Sequence, residues 1–86
     1  MYTPNSYIYT KGDPGNEIYF LMSGAVRIYI KDSEYLNLTE GKYFGEVCFY
    51  NNSKRNYKAI AKDYCIIFVY SKRDHLEFMK GMLESL

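Results

Sequence analysis

Turn-forming residues punctuate this chain about every eight to twelve positions as far as Ser71, and no apolar run between them is long enough for an ordinary helix. A chain cut so finely builds its core from short strands, and several in succession point to a β-sandwich or barrel. The punctuation is explicit: Lys11-Gly12-Asp13-Pro14-Gly15-Asn16, Ser23-Gly24, Lys31-Asp32-Ser33-Glu34, Thr39-Glu40-Gly41 and Lys62-Asp63. Each supplies glycine, proline or a short polar side chain able to bond its own backbone.

Between the turns, Tyr7 to Thr10 reads as a short strand, and Glu17 to Met22, carrying Ile18, Tyr19, Phe20 and Leu21, as a buried one. Ala25 to Ile30 sets Val26, Ile28 and Ile30 against Arg27, Tyr29 and Lys31, the period of two expected of a strand with one wet face. Tyr35 to Leu38 returns with Leu36 and Leu38 on one side, which predicts a hairpin, and Tyr43-Phe44 form another short strand. Tyr57 to Ala61 and Tyr64 to Tyr70 complete the set, the last a nearly continuous apolar run suited to burial on both faces. Ser71 with Asp74 three residues on fits a capping box. The amphipathic helix it opens puts Leu76, Met79, Leu83 and Leu86 on one side, a stripe that reads as core contact.

Eighty-six residues suffice for one domain, residues 1–86, near the size at which a single core becomes marginal. Met1 passes straight into strand-like sequence, which reads as a piece excised from a longer protein. A 48% hydrophobic and 19% aromatic composition, with eleven Tyr and no Trp, excludes disorder and suits pleated surfaces. Eleven basic against ten acidic residues leave a net charge of +1, without the basic excess of a nucleic-acid binder. The tyrosines therefore read as packing rather than as a stacking platform for bases.

His75 is the only histidine, and Cys48 and Cys65 lack CxxC spacing, so no metal-ligand set is expected. The cysteines read as free thiols in a reducing compartment. No apolar run reaches the roughly 18 residues of a membrane span, so this segment is not expected to insert in a bilayer.

The chemistry concentrates in Gly41 to Ala59, GKYFGEVCFYNNSKRNYKA, where Gly45 and Glu46 stand side by side and Arg55 follows nine positions after the acid. A glycine permits close backbone approach, a carboxylate accepts from a hydroxyl, and a guanidinium forks onto phosphate. Together they suit a small anion that carries a sugar hydroxyl.

These residues resemble the cyclic nucleotide-binding domains over nearly the whole chain. Glu17-Ile18-Tyr19-Phe20-Leu21-Met22-Ser23-Gly24-Ala25-Val26 is similar to the family's early strand pair with its turn glycine. Gly41 to Cys48 is similar to the start of its phosphate-binding cassette, and Arg55 falls where the cassette arginine belongs. The Tyr64-Cys65 pair and the helix start Ser71-Lys72-Arg73-Asp74-His75-Leu76 look most like hyperpolarisation-activated and cyclic nucleotide-gated cation channels.

The resemblance implies a mainly β fold: a β-roll, a double-stranded jelly-roll-like sandwich, with a short helical turn over Val47 to Tyr50 and one C-terminal helix. It implies a regulatory, non-enzymatic module that needs no cofactor and takes cAMP or cGMP as ligand. Phe44, Gly45, Glu46, Val47, Cys48, Arg55, Asn56 and Tyr57 are the ligand-binding residues it implies, with Arg55 on the phosphate and Glu46 on the ribose hydroxyl. The implied parent is a homotetrameric cation channel with this domain on the cytoplasmic side of the membrane. Asn56 and Tyr57 depart from the family, which carries a small or hydroxyl residue and then Ala after the arginine. The family also has a further helix that lids the base, which would follow Leu86, so weak binding is expected of residues 1–86. Two other readings share the fold: a degenerate domain with a structural or interaction role that binds no nucleotide because Tyr57 or another side chain occupies the pocket, and the regulatory domain of a cyclic nucleotide-dependent kinase.

Overall fold

A computed structural model describes all 86 residues, Met1–Leu86. The turn clusters divide the chain as its composition requires: β1 (Tyr7–Tyr9), β2 (Glu17–Ser23), β3 (Val26–Lys31), β4 (Glu34–Leu38), β5 (Tyr43–Phe44), α1 (Glu46–Asn51), β6 (Lys58–Ala61), β7 (Ile66–Ser71) and α2 (Lys72–Glu84). The strands form a four-stranded sheet in the order β1-β6-β3-β4 and a three-stranded sheet in the order β5-β2-β7. Every pairing is antiparallel.

Register follows from which side chains must leave water. In the larger sheet Val26 lies between Leu38 and Ala61, and Ile28 between Leu36 and Ala59. Val26, Ala59 and Ala61 are wholly buried. Tyr19, Leu21 and Phe44 of the smaller sheet meet them in one core that also takes the Cys65 thiol. Two alanines on β6 leave room for the larger side chains opposite, so the two sheets can approach closely over one core.

Gly24, in the β2–β3 turn, has a φ of 95°, and a Cβ there would stand 2.3 Å from the Tyr64 carbonyl oxygen. Only glycine lets that turn pass so close to the Tyr64-Cys65 segment. The thiol of Cys65 fastens the crossing by donating to the Ala25 carbonyl at 3.1 Å.

Three expectations about burial need correction, the first being Ile30, which shares the alternation of Val26 and Ile28 but is 44% exposed at the end of β3. β7 is not buried on both faces: Ile66 and Phe68 are exposed, as are Phe20 and Met22 on the paired β2. The reason is topological, since β7 is an edge strand with only β2 beside it and one face of the small sheet has no layer over it. Likewise α2 buries no residue, so the Leu76, Met79 and Leu83 stripe is not core contact. The expected capping box does form, with the Ser71 side chain accepting from Asp74 N–H and Asp74 accepting from Ser71 N–H. The helix thus owes its start to the cap and to the contacts of its first turn, not to packing of its apolar stripe.

Candidate functional site

The backbone of Arg55 is held at both its N–H and its carbonyl. Its N–H donates to the Asp13 carbonyl and its carbonyl accepts from Gly12 N–H, each at 2.8 Å. The dense turn between β1 and β2 is therefore the backbone clamp for the arginine. From there the side chain enters the interior, and only 3% of the residue is exposed. Nη1 donates to the Gly45 carbonyl and Nη2 to the Glu17 carbonyl, both at 2.7 Å. The guanidinium carbon sits 4.4 Å from the Tyr9 ring centroid and 5.6 Å from that of Tyr19. Nε is buried with no hydrogen-bond partner.

No carboxylate lies within ion-pair distance of this cation; the ion pair the molecule does make is Lys80–Glu84, on the surface of α2. A buried guanidinium lacking a counter-ion is costly, typically by several kcal/mol, and an anion brought to it recovers that cost.

Gly45 occupies the N-cap of α1 with φ 85°. A Cβ there would meet Arg55 Nη1 at 2.9 Å and the Glu17 carbonyl at 3.2 Å, so the close approach of chain to guanidinium requires glycine. Glu46 follows as the first residue of α1, and its Oε2 is buried without a donor. The stretch therefore presents one unmatched donor, Arg55 Nε–H, and one unmatched acceptor, Glu46 Oε2.

All eight residues implied by the resemblance line one cleft of about 520 Å³. Phe44 is buried at its floor and stacks on Tyr19 with ring centroids 5.2 Å apart. Val47 is exposed, while Cys48 is half-buried with its thiol donating to the Lys54 carbonyl at 3.4 Å. Asn56 and Tyr57 are both exposed, so Tyr57 stands on the rim and does not fill the interior. The cleft's volume is in the range of small-molecule sites.

Tyr9, Ile28, Leu36, Leu38 and Tyr43 line the same cleft and escape a reading of Gly41 to Ala59 alone. The alternation of β3 and β4 puts Ile28, Leu36 and Leu38 on one face, although Leu36 at the cleft rim stays 56% exposed. Nothing local singles out Tyr9 from ten other tyrosines. Its place comes from the pairing of β1 with β6, where it lies opposite Ala59. Burial pushes the Tyr9 hydroxyl up to about 12 against the opposing pull of Arg55, and burial together with Glu17 raises Tyr19 as well.

α1 meets α2 beyond the cleft. Phe49 sets its ring edge-on to His75 at 5.6 Å and tilts against Tyr70 at 6.2 Å, while Lys72 donates to the Asn52 side chain. The Tyr70 hydroxyl and His75 Nδ1 are 3.1 Å apart, tying the end of β7 to the first turn of α2.

Two antiparallel sheets rolled over one core, with a ligand-sized cleft beside one short helix and a second helix closing the chain, define a β-roll domain. A profile of the cyclic nucleotide-binding domain matches residues 1–81, and the chain belongs to that family.

Potassium/sodium hyperpolarization-activated cyclic nucleotide-gated channel 1 of Oryctolagus cuniculus and of Homo sapiens is 32% identical over 71 residues, 83% of this chain. The chain spans only 8% of those channels' length. Among solved structures, the cAMP-bound EAL enzyme Bd1971 superposes with a TM-score of 0.77 at 29% identity, over 92% of this chain and 23% of that one. The catabolite activator protein of Thermus thermophilus gives a TM-score of 0.80 at 24% identity, over 94% of this chain and 40% of that one, a likeness of fold alone.

Proposed function

We propose that this domain is a regulatory, non-enzymatic module that takes up cAMP or cGMP in the cleft between Gly45 and Tyr57. One observation carries the reading: a buried Arg55 without a counter-ion stands in the same cleft as a buried Glu46 oxygen without a donor. A cyclic nucleotide supplies both complements. Its phosphodiester accepts from Arg55 in a charge-assisted bond worth about 1.5–3 kcal/mol, and its ribose hydroxyl donates to Glu46. Gly45 lets the main chain approach, Phe44, Val47 and Cys48 shape the wall, and the Asn56 amide donates from the rim.

Binding draws α1 toward the phosphate, and the Phe49–His75 contact carries that movement to the start of α2. The 32% identity with hyperpolarization-activated channels supports a parent of that kind, homotetrameric, with this domain on the cytoplasmic side and α2 passing the signal to the gate. A kinase regulatory parent uses the same cleft chemistry and differs in what is attached.

A second reading has its own support. Both terminal nitrogens of Arg55 already bond backbone carbonyls at 2.7 Å, which suits a degenerate domain whose arginine has become a structural brace. Calorimetric titration with cAMP, cGMP and linear 5′-AMP separates the two. Saturable binding of a cyclic nucleotide, lost in Arg55→Ala and not matched by 5′-AMP, is the expected result. Absence of any interaction up to millimolar concentration, with the protein folded, would leave the brace as the better account.

A further inference from the structure

Three close supports hold the Arg55 guanidinium, with the Tyr19 ring farther off at 5.6 Å, and none of them is an anion. Two are the carbonyls of Gly45 and Glu17. The third is the face of Tyr9, 4.4 Å from the guanidinium carbon. That ring is itself braced, tilted against Tyr19 at 5.7 Å and against Phe44 at 6.2 Å. Carbonyl dipoles and the negative face of an aromatic ring stabilise a cation while leaving its net charge intact. A carboxylate in the place of Tyr9 would neutralise Arg55 and compete with any incoming phosphate.

We propose that Tyr9 is a positioning residue for anion recognition: its ring face orients the Arg55 guanidinium toward the cleft and keeps the charge available to a cyclic phosphate. This rests on the functional reading above and extends it to β1, outside the Gly41 to Ala59 stretch. A purely structural ring at position 9 would depend on shape. A supporting ring depends on the sign of its face as well, since fluorination reverses the quadrupole at nearly constant size.

The test is cAMP and cGMP affinity of the wild type, of Tyr9→Phe, and of the protein with pentafluorophenylalanine in place of Tyr9, thermal melts confirming that each is folded. Tyr9→Phe is expected within about twofold of wild type and the fluorinated protein about tenfold weaker, the span of a desolvated cation–π contact. A second readout needs no ligand. Ring shielding should hold the Arg55 Nε–H resonance upfield in the wild type and in Tyr9→Phe, and Tyr9→Leu should return it downfield. Equal affinity for the two ring variants, or a resonance unmoved in Tyr9→Leu, would overturn the role of Tyr9 while nucleotide binding stands. Should the wild type bind neither nucleotide, the functional reading and this extension fall together.

Discussion

Arg55 is where sequence and chemistry meet most tightly, because its backbone, both terminal nitrogens and one face are each held by a different part of the chain. Arg55→Ala is predicted to weaken cyclic nucleotide binding by about 2–5 kcal/mol, since it leaves the ligand's charge unpaired. Arg55→Lys should recover little of this, because a single ammonium cannot span the Gly45 and Glu17 carbonyls. Isothermal titration of both variants checks the pair, and full recovery by lysine would contradict the clamp.

The tyrosines beneath Arg55 give a pH prediction. Tyr9 ionises near 12 and Tyr19 is also raised, both mainly by burial. The folded protein therefore keeps protons that the unfolded chain has already lost above about pH 10. This contribution is whole below pH 10 and is lost as pH rises through the folded values. Urea midpoints between pH 9 and 11.5 should fall, and less steeply in Tyr9→Phe; parallel slopes would contradict it.

Gly45, Glu46 and Arg55 were legible in the sequence because residue type and spacing alone state their chemistry. Tyr9 was not, since its position depends on a strand pairing fifty residues away in the chain.

At the scale of elements, the strands were legible because turn residues bound them, and β5 is Tyr43–Phe44 as read. Burial was less legible, because an apolar run states what a strand tolerates rather than what covers it. Ile66 and Phe68 on β7 are exposed for want of a neighbouring layer. The helix α2 shows the same division: its capping box was readable from Ser71 and Asp74, its unpartnered stripe was not. A thirteen-residue helix with no buried residue relies heavily on that cap. Ser71→Ala should cost about 1 kcal/mol, so amide exchange in the first turn of α2 should quicken about fivefold. Unchanged protection there would contradict a locally held helix. In the β2–β3 turn, Gly24→Ala should cost about 1–3 kcal/mol or more, from positive φ and the crowding of the Tyr64 carbonyl. A urea midpoint equal to wild type would contradict that crowding.

Taken whole, the molecule is a roll whose two sheets share one core and whose longest connection between strands, from β5 through α1 to β6, carries the cleft chemistry. The bare face of the small sheet adjoins the cleft at Tyr43, which lines the cleft and tilts against Phe20, while the exposed stripe of α2 contributes nothing to the cleft lining. The contact of Phe49 with His75 joins α1, whose first residues line the cleft, to the first turn of α2. The central claim, that Arg55 recognises a phosphate in this cleft, has a direct reporter in its own Nε–H, which is buried and unpartnered. The decisive measurement follows that resonance during titration with cAMP and, separately, with adenosine, which lacks the phosphate. A saturating downfield shift with cAMP and none with adenosine is predicted. A resonance that stays in place at saturating cAMP, or moves equally with adenosine, would contradict the account.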